Sequence, residues 1–412
     1  MKEIHPCSAL RKLQKEAVIL ETQWKAHQIK APERIPDLLE MVPERSETDQ
    51  FLQTYLSTFE TAYHILHGPS FIIEYELFWR APRNTRPGFV AVLLMLMATV
   101  RCMSPKNEMS FDGDGSSARK EAVSWIHACN AWLKQQSSKH RFMEMYQVMC
   151  LRIIAASTNL LKVKEAYVEA ENLLAYFRSA GMHRDPSLLQ GKCSPFDGEM
   201  RRRLWAVTAE LELQAAINRG APSSLSAIPI DCNIPLNIHD QEFAPDSSQL
   251  PVPKAESEYT STSYLHNASK SLSLRVSLCS LINDPSHQMQ HSEVLQYEHQ
   301  ITLALNSIPR WTSPQSTLAS SLLALQLRQF LILIHTPFAR KSDSSHARYS
   351  RLICFENAQA ILDIHSQLLA TNNFALPFLR EDVSRAALSI CHNTFLCTLE
   401  SGTLHSPPTS PH

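Results

Sequence analysis

The sequence predicts an all-α chain, a multi-helical assembly around an extensive core, and three observations predict it. Only 9 of 412 residues are glycine against 24 prolines, too few glycines for the tight turns and phosphate-cradling loops of a parallel α/β fold. Apolar residues return at helical spacing in one stretch after another, as they do along the buried face of a helix. The prolines gather mainly between those stretches, where helices end and loops begin. With 44% hydrophobic and 19% charged residues, the bulk of the chain is expected to be globular. Its length allows one large core or two apposed ones.

Near the N-terminus, Leu10, Leu13, Ala17, Leu20 and Trp24 follow a 3-4-3-4 spacing, which sets them along one seam as heptad a and d positions are. Fewer than three heptads make a marginal helix on their own, so the seam needs a partner helix or a place on its own domain. Pro32, Pro36 and Pro43 then mark a linker, and residues 1–47 are read as heptad helix plus linker. Helical spacing resumes at Thr48 with Phe51, Tyr55, Phe59, Tyr63 and Leu66, and the turn His67-Gly68-Pro69-Ser70 leads into a second helix through Tyr75 and Trp79. The apolar run Phe89 to Val100 is too short to span a bilayer, and it reads as a buried helix. Helices are expected near Ala118 to Lys134, Arg141 to Ser157 and Lys164 to Ala180, with Gly181 as a left-handed stop. Another opens at Pro195 and Asp197 and runs to about Asn218, stopped by Gly220 and Pro222.

Residues from about Ile228 to Pro253 carry prolines and no periodicity, which predicts a long surface connection and a sub-boundary within 228–262. Helices follow over Ser263 to Leu281, Ser292 to Ser307, Thr317 to His335, Arg348 to Ala370 and Arg380 to Leu399. The reading closes with a helical domain over 48–402 and a disordered Ser/Pro tail over 403–412.

Composition and motifs argue against several chemistries. A net charge of −1 gives no attraction for nucleic acid or an anionic membrane. The ten cysteines lack short paired spacing and no signal peptide opens the chain, which fits a reduced, intracellular protein with no membrane role. Gly113-Asp114-Gly115-Ser116-Ser117-Ala118 matches a loose dinucleotide fingerprint without a preceding strand. As a calcium loop the same segment fails at Val123, where a bidentate glutamate is needed. His183-Arg184-Asp185 matches a kinase catalytic loop with none of its companion motifs, so it reads as a turn. His287 and His291 are four apart but lack a third ligand, and Cys391, His392 and Cys397 lack zinc spacing, with Cys391 read as a buried small hydrophobe. Paired helical aspartates that could hold magnesium and a diphosphate are missing, Asn283-Asp284 coming nearest. Arg201-Arg202-Arg203, near Glu199, Glu210 and Glu212, reads as a solvated, ion-paired face.

Four ordered stretches nevertheless resemble the fungal transcription factor domain, the middle homology region that follows a binuclear zinc cluster. The first is His64-Ile65-Leu66-His67-Gly68-Pro69-Ser70-Phe71 with Glu74-Tyr75-Glu76-Leu77-Phe78-Trp79, in which Gly68 stands where the family usually has arginine. The second runs from Arg86-Pro87-Gly88-Phe89-Val90 into Leu93-Leu94-Met95-Leu96 and is similar to regulators of secondary-metabolite clusters. The third joins Gly181, His183, Arg184, Asp185 and Pro186 to Glu199, Arg201, Arg202, Arg203, Leu204 and Trp205, closing at Gly220 and Pro222. The fourth is Ile332-Leu333-Ile334-His335-Thr336-Pro337-Phe338. Together they cover about residues 50 to 365, and His67, Pro69, Phe71 and Trp79 join the third stretch as the signature positions.

The resemblance implies a nuclear transcription regulator, tied to a secondary-metabolite gene cluster, without catalytic residues or a cofactor. In the family zinc belongs to six closely spaced cysteines, an array these 412 residues lack, so the chain is expected to begin just after that module and to reach DNA only indirectly. Its partners would be a second copy or a full-length transcription factor, joined through Leu10, Leu13, Ala17, Leu20 and Trp24. The alternative is a helical enzyme or small-molecule-binding protein derived from the same fold, which would need convergent titratable groups in a pocket.

Overall fold

The computed structural model describes residues 12, 15, 16, 18–20, 37–103, 111–112, 115–137, 141–189, 193–341, 344–370 and 380–403. The helices run in order as α1 (Arg45–Ser57), α2 (Phe59–Tyr63), α3 (Gly68–Arg80), α4 (Pro87–Val100), α5 (Ser117–Gln135), α6 (Met143–Thr158) and α7 (Ala166–Ser179). They continue as α8 (Pro195–Arg219), α9 (Ser263–Ile282), α10 (His291–Asn306), α11 (Thr317–Ala339), α12 (Ser345–Ala370) and α13 (Asp382–Thr403). Strand among the described residues is confined to an antiparallel pair of two residues each, Phe111–Asp112 with Gly115–Ser116. The fold is all-α, as the spacing predicts.

Helix α4 is apolar all round, and every residue from Gly88 to Val100 is buried; such a helix has to be enclosed on all sides. It is, by α1, α5 and α6. The second centre is α11, which packs on α9, α10 and α12, while α13 lies along α12. Between the two groups runs α8, touching α6 and α7 on one side and α9 on the other, and one continuous hydrophobic cluster extends from Leu38 to Ala386. Residues 314–339 are long and apolar enough to cross a membrane, yet 67% of that window is buried inside the fold. Their apolar surface faces neighbouring helices.

Helix boundaries follow local chemistry. Ser194 accepts the N–H of Asp197 at 3.0 Å and Pro195 fills the first position of α8, the two start signals reinforcing each other. Gly220 stops it at φ 68°, and Gly181 follows α7 at φ 70°, left-handed positions that glycine adopts without the Cβ penalty. One expected end differs: α11 continues past His335 through Pro337 to Ala339. Proline this close to a terminus forfeits a single backbone bond, and Thr336 caps the turn by donating to the Ile332 carbonyl at 2.6 Å.

The expected surface connection after Ile228 is instead a docked strap. Asn237, Ile238, Asp240, Phe243, Thr260 and Thr262 on it are buried. Its irregular backbone is satisfied by side chains: Thr262 Oγ1 donates to the Leu236 carbonyl at 2.6 Å and accepts from Ile238 N at 3.0 Å. Asn237 Oδ1 accepts from Thr260 and Ser263 hydroxyls at 2.7 and 2.8 Å. Periodicity is blind to such a segment because its order comes from side-chain caps rather than from a repeating face.

Of the N-terminal seam, Leu20 is helical and exposed; Leu10, Leu13, Ala17 and Trp24 lie outside the described residues. So do Gly113 and Asp114 of the glycine-rich loop and residues 404–412 of the tail.

Candidate functional site

The signature residues converge on the first half of α8, where its charged side chains turn inward. Arg203 is entirely buried. Its Nε donates to Glu199 Oε1 at 3.2 Å, one helical turn back, and its Nη1 donates to Asp240 Oδ1 of the strap at 2.8 Å. The guanidinium also lies over the Phe243 ring, 5.1 Å from its centroid, a cation–π contact shielded from water. Asp240 gathers further donors: His64 Nε2 reaches Oδ1 at 3.0 Å and Gly68 N–H reaches Oδ2 at 2.8 Å. Burial alone would raise the Asp240 pKa, but His64, Arg203 and the Gly68 amide hold it well below the usual carboxylate range.

His67 closes the same corner. It caps α3 by accepting Ser70 N–H at Nδ1, 3.3 Å, which leaves Nε2 to donate to the Asp240 carbonyl at 2.8 Å. Burial lowers its pKa, against the pull of Asp240, so the neutral ring fits both bonds. Phe196 and Phe243 pack edge-on against it, 5.0 and 4.7 Å between centroids. Beneath, Glu60 accepts Leu66 N–H at 2.6 Å and the Tyr55 hydroxyl at 2.9 Å. Burial raises the Glu60 pKa while His64 opposes it.

A second clamp starts from the adjacent residue of α8. Arg202 grips Asp185 with two bonds, Nε to Oδ2 at 3.0 Å and Nη2 to Oδ1 at 2.9 Å, the paired geometry that makes arginine–carboxylate contacts strong. Asp185 also accepts the amides of Ser187 and Asn233, both at 3.0 Å. Although burial pushes its pKa up, Arg202 and those amides bring it well below the ordinary value. Arg184 pairs with Asp231 at 2.7 Å, and the His183 carbonyl accepts the Asp231 and Cys232 amides at 3.2 and 3.1 Å. Glu199 adds the Leu236 amide at 3.1 Å. From Asp231 to Asp240 the strap is thus stitched to α8 and to the turn after α7.

Chemically this is a set of paired charges. The carboxylates spend most of their lone pairs on donors of the fold, Glu199 Oε2 and Arg203 Nη2 being among the buried atoms left without a hydrogen bond, and the described residues contain no group of three or more His, Cys, Asp or Glu able to hold a metal. His287 and His291 do not share a helical face, because α10 starts at His291; His287 Nε2 lies 3.4 Å from Glu293 and His291 stacks on His346 at 4.1 Å. Asn283 caps α9 and donates to the Ala221 carbonyl at 3.1 Å.

The model of the fungal specific transcription factor domain matches residues 52–312. The chain belongs to that family. Among its relatives, transcription factor opdR of Penicillium oxalicum is 29% identical over 350 residues, covering 79% of this chain and 42% of the relative. Transcription factor lepE of Aspergillus flavus is 28% identical over 388 residues, covering 90% and 46%. The Fusarisetin A cluster transcription factor fsa6 of a Fusarium species is 25% identical over 371 residues, covering 81% and 46%. The chain spans about half the length of the curated relatives it matches. No solved structure matches it.

The family signature therefore has a physical content in this chain. His67, His183, Arg184, Asp185, Glu199, Arg202 and Arg203 all bond within the strap network. Arg201 turns to the Ala180 carbonyl at 3.3 Å, and Leu204, Trp205 and Pro186 pack in the interior around the clamp. Gly181, Gly220 and Pro222 shape helix ends, the Pro222 carbonyl accepting from Tyr167 at 3.3 Å. Pro69, Phe71 and Trp79 stand apart on α3, where Phe71 meets Phe89 at 5.2 Å and Trp79 meets Phe78 at 4.9 Å. The arginine run is not the solvated face expected of it: Arg203 is wholly enclosed, Arg202 nearly so, and Glu210 pairs with Arg275 of α9 instead. Cys391, expected to be buried, is exposed on α13.

Sequence reasoning missed Asp240, the hub of the network, and left His64 out of the signature positions although it opens the first stretch. Their partners are 37 and 176 positions away, beyond any spacing rule. The one available signal was an acidic residue, Asp240, inside a proline-rich stretch too long to be an ordinary loop.

Proposed function

We propose that this chain is a nuclear regulator of transcription serving a fungal secondary-metabolite gene cluster, and that its helical domain carries the regulatory part of that work. The observation that carries the reading is the family match over residues 52–312, together with relatives named as cluster transcription factors. The geometry supports it: charges are spent on holding the strap, which suits a domain whose shape is its output. Its partners would be a second copy or a full-length transcription factor. Pairing through the seam of Leu10, Leu13, Ala17, Leu20 and Trp24 fits the exposure of Leu20.

Deleting the gene in its fungus and following transcripts and metabolites together tests this. The expected result is a coordinated fall or rise in the transcripts of one gene cluster. Loss of a single chemical step with unchanged transcription would overturn the reading in favour of an enzyme.

A further inference from the structure

A groove of about 560 Å³ opens between α8, α9 and the strap, outside the buried network but sharing its wall. Its base is apolar, with Trp205 and Ala206 from α8 facing Leu272 and Val276 from α9. Ile230 and Ile234 of the strap line its side and remain 39% and 38% exposed, unusual for isoleucines with an interior so near. The volume lies inside the roughly 300–1,000 Å³ range of small-molecule sites.

The polar groups restrict what can sit there. No carboxylate lines the groove, and its one cation, Arg202, is already held by both oxygens of Asp185. Neither a charged amine nor an acid would find a free counter-ion, and burying either without one is costly. Hydroxyls are plentiful: Ser273 and Ser277 stand on the open edge of α9, and Ser280 Oγ is shut off from solvent with no hydrogen-bond partner. Cys232 at one end stays a thiol, its pKa pushed up to about 12 by burial and by Asp185, so the contact there is soft and non-covalent.

We propose that this groove is a binding site for a neutral, largely apolar small molecule bearing a hydrogen-bonding oxygen or nitrogen. Because Asp231 and Asn233 anchor the strap to Arg184 and Asp185, an occupant that bridges the Ile230–Ile234 wall and α9 ties the strap down further. Occupancy is then felt by the same signature residues that hold the fold together. The inference concerns binding alone and does not rest on the transcriptional reading; either can fail without the other.

Nile red, a neutral apolar dye with carbonyl and amine groups, tests it on the purified 412-residue chain. The expected result is saturable one-site binding that raises the melting temperature. The anionic dye 1-anilinonaphthalene-8-sulfonate should bind there at least about tenfold more weakly. Ser273→Trp and Ser277→Trp, at exposed positions that tolerate the larger ring, should each fill the groove and cut Nile red affinity about tenfold or more, with circular dichroism confirming the fold. Leu388→Ser, on an exposed apolar patch of α13, should leave binding unchanged. Binding untouched by both tryptophans, or lost in Leu388→Ser, would overturn the proposal. So would equal affinity for the anionic dye. Dye release as the protein is concentrated into a dimer would also overturn it, assigning the groove to a second copy.

Discussion

Arg203 is the residue on which most of the buried polar corner depends. Its removal takes the one shared guanidinium from Glu199 and Asp240, two buried carboxylates that keep only His64 and backbone amides as close donors. Breaking a buried pair from one side costs about 3–5 kcal/mol, so Arg203→Met should lower unfolding stability by that order in urea titration. A loss below about 1 kcal/mol would mean the site stays wet enough to solvate both carboxylates. His335 gives a residue-level test in pH. It sits at the end of α11 with Ser350 3.1 Å from Nδ1 and Glu298 3.3 Å from Nε2, and with His291 and Tyr349 nearby. Burial holds its pKa down to about 4 from an ordinary 6.5, against the pull of Glu298. The folded state therefore favours the neutral ring, and the unfolded chain binds more protons between those values. Stability contributed by His335 is present above about pH 6.5 and is lost as pH falls toward 4. His335→Gln should flatten that part of the stability profile relative to wild type, a difference in which the carboxylates common to both chains cancel. An unchanged profile in paired urea titrations at pH 7 and 5 would contradict this.

At the scale of elements, the helices were the legible part. Gly181, Gly220 and Pro195 announced their ends because caps and stops are local chemistry, and α4 announced its burial because the apolar run Phe89 to Val100 needs enclosure on every side. Gly181 offers a clean test. A Cβ there would meet nothing within 4 Å, while φ is +70°, so Gly181→Ala should cost about 1–2 kcal/mol from backbone strain alone. Gly181→Asn should cost less, since asparagine tolerates that region. Equal cost for the two in thermal melts would show that the turn, not the dihedral, decides. The strap was illegible for the converse reason: it has no period, and its burial is imposed by partners such as Arg203 and His64 that lie far off in sequence. Arg201-Arg202-Arg203 misled in the same way, since three adjacent arginines look solvated until a buried acceptor is placed beside each.

For the whole molecule, composition and spacing carried the all-α class and the family words carried the site, but how they join needed coordinates. The core cluster runs unbroken from Leu38 to Ala386 through α8. Guanidinium unfolding followed by circular dichroism and by tryptophan fluorescence should therefore give one coincident transition. Two separated transitions would instead support a boundary within 228–262. The signature residues hold the strap against α8 as a unit, and amide hydrogen exchange in Arg203→Met reads that hold. Gly68 and Leu236, whose amides are held by Asp240 and Glu199, should exchange at least about tenfold faster than in wild type once normalised to α4. Gly68 and Leu236 amides as protected as in wild type, or acceleration spread evenly over α4 as well, would contradict it.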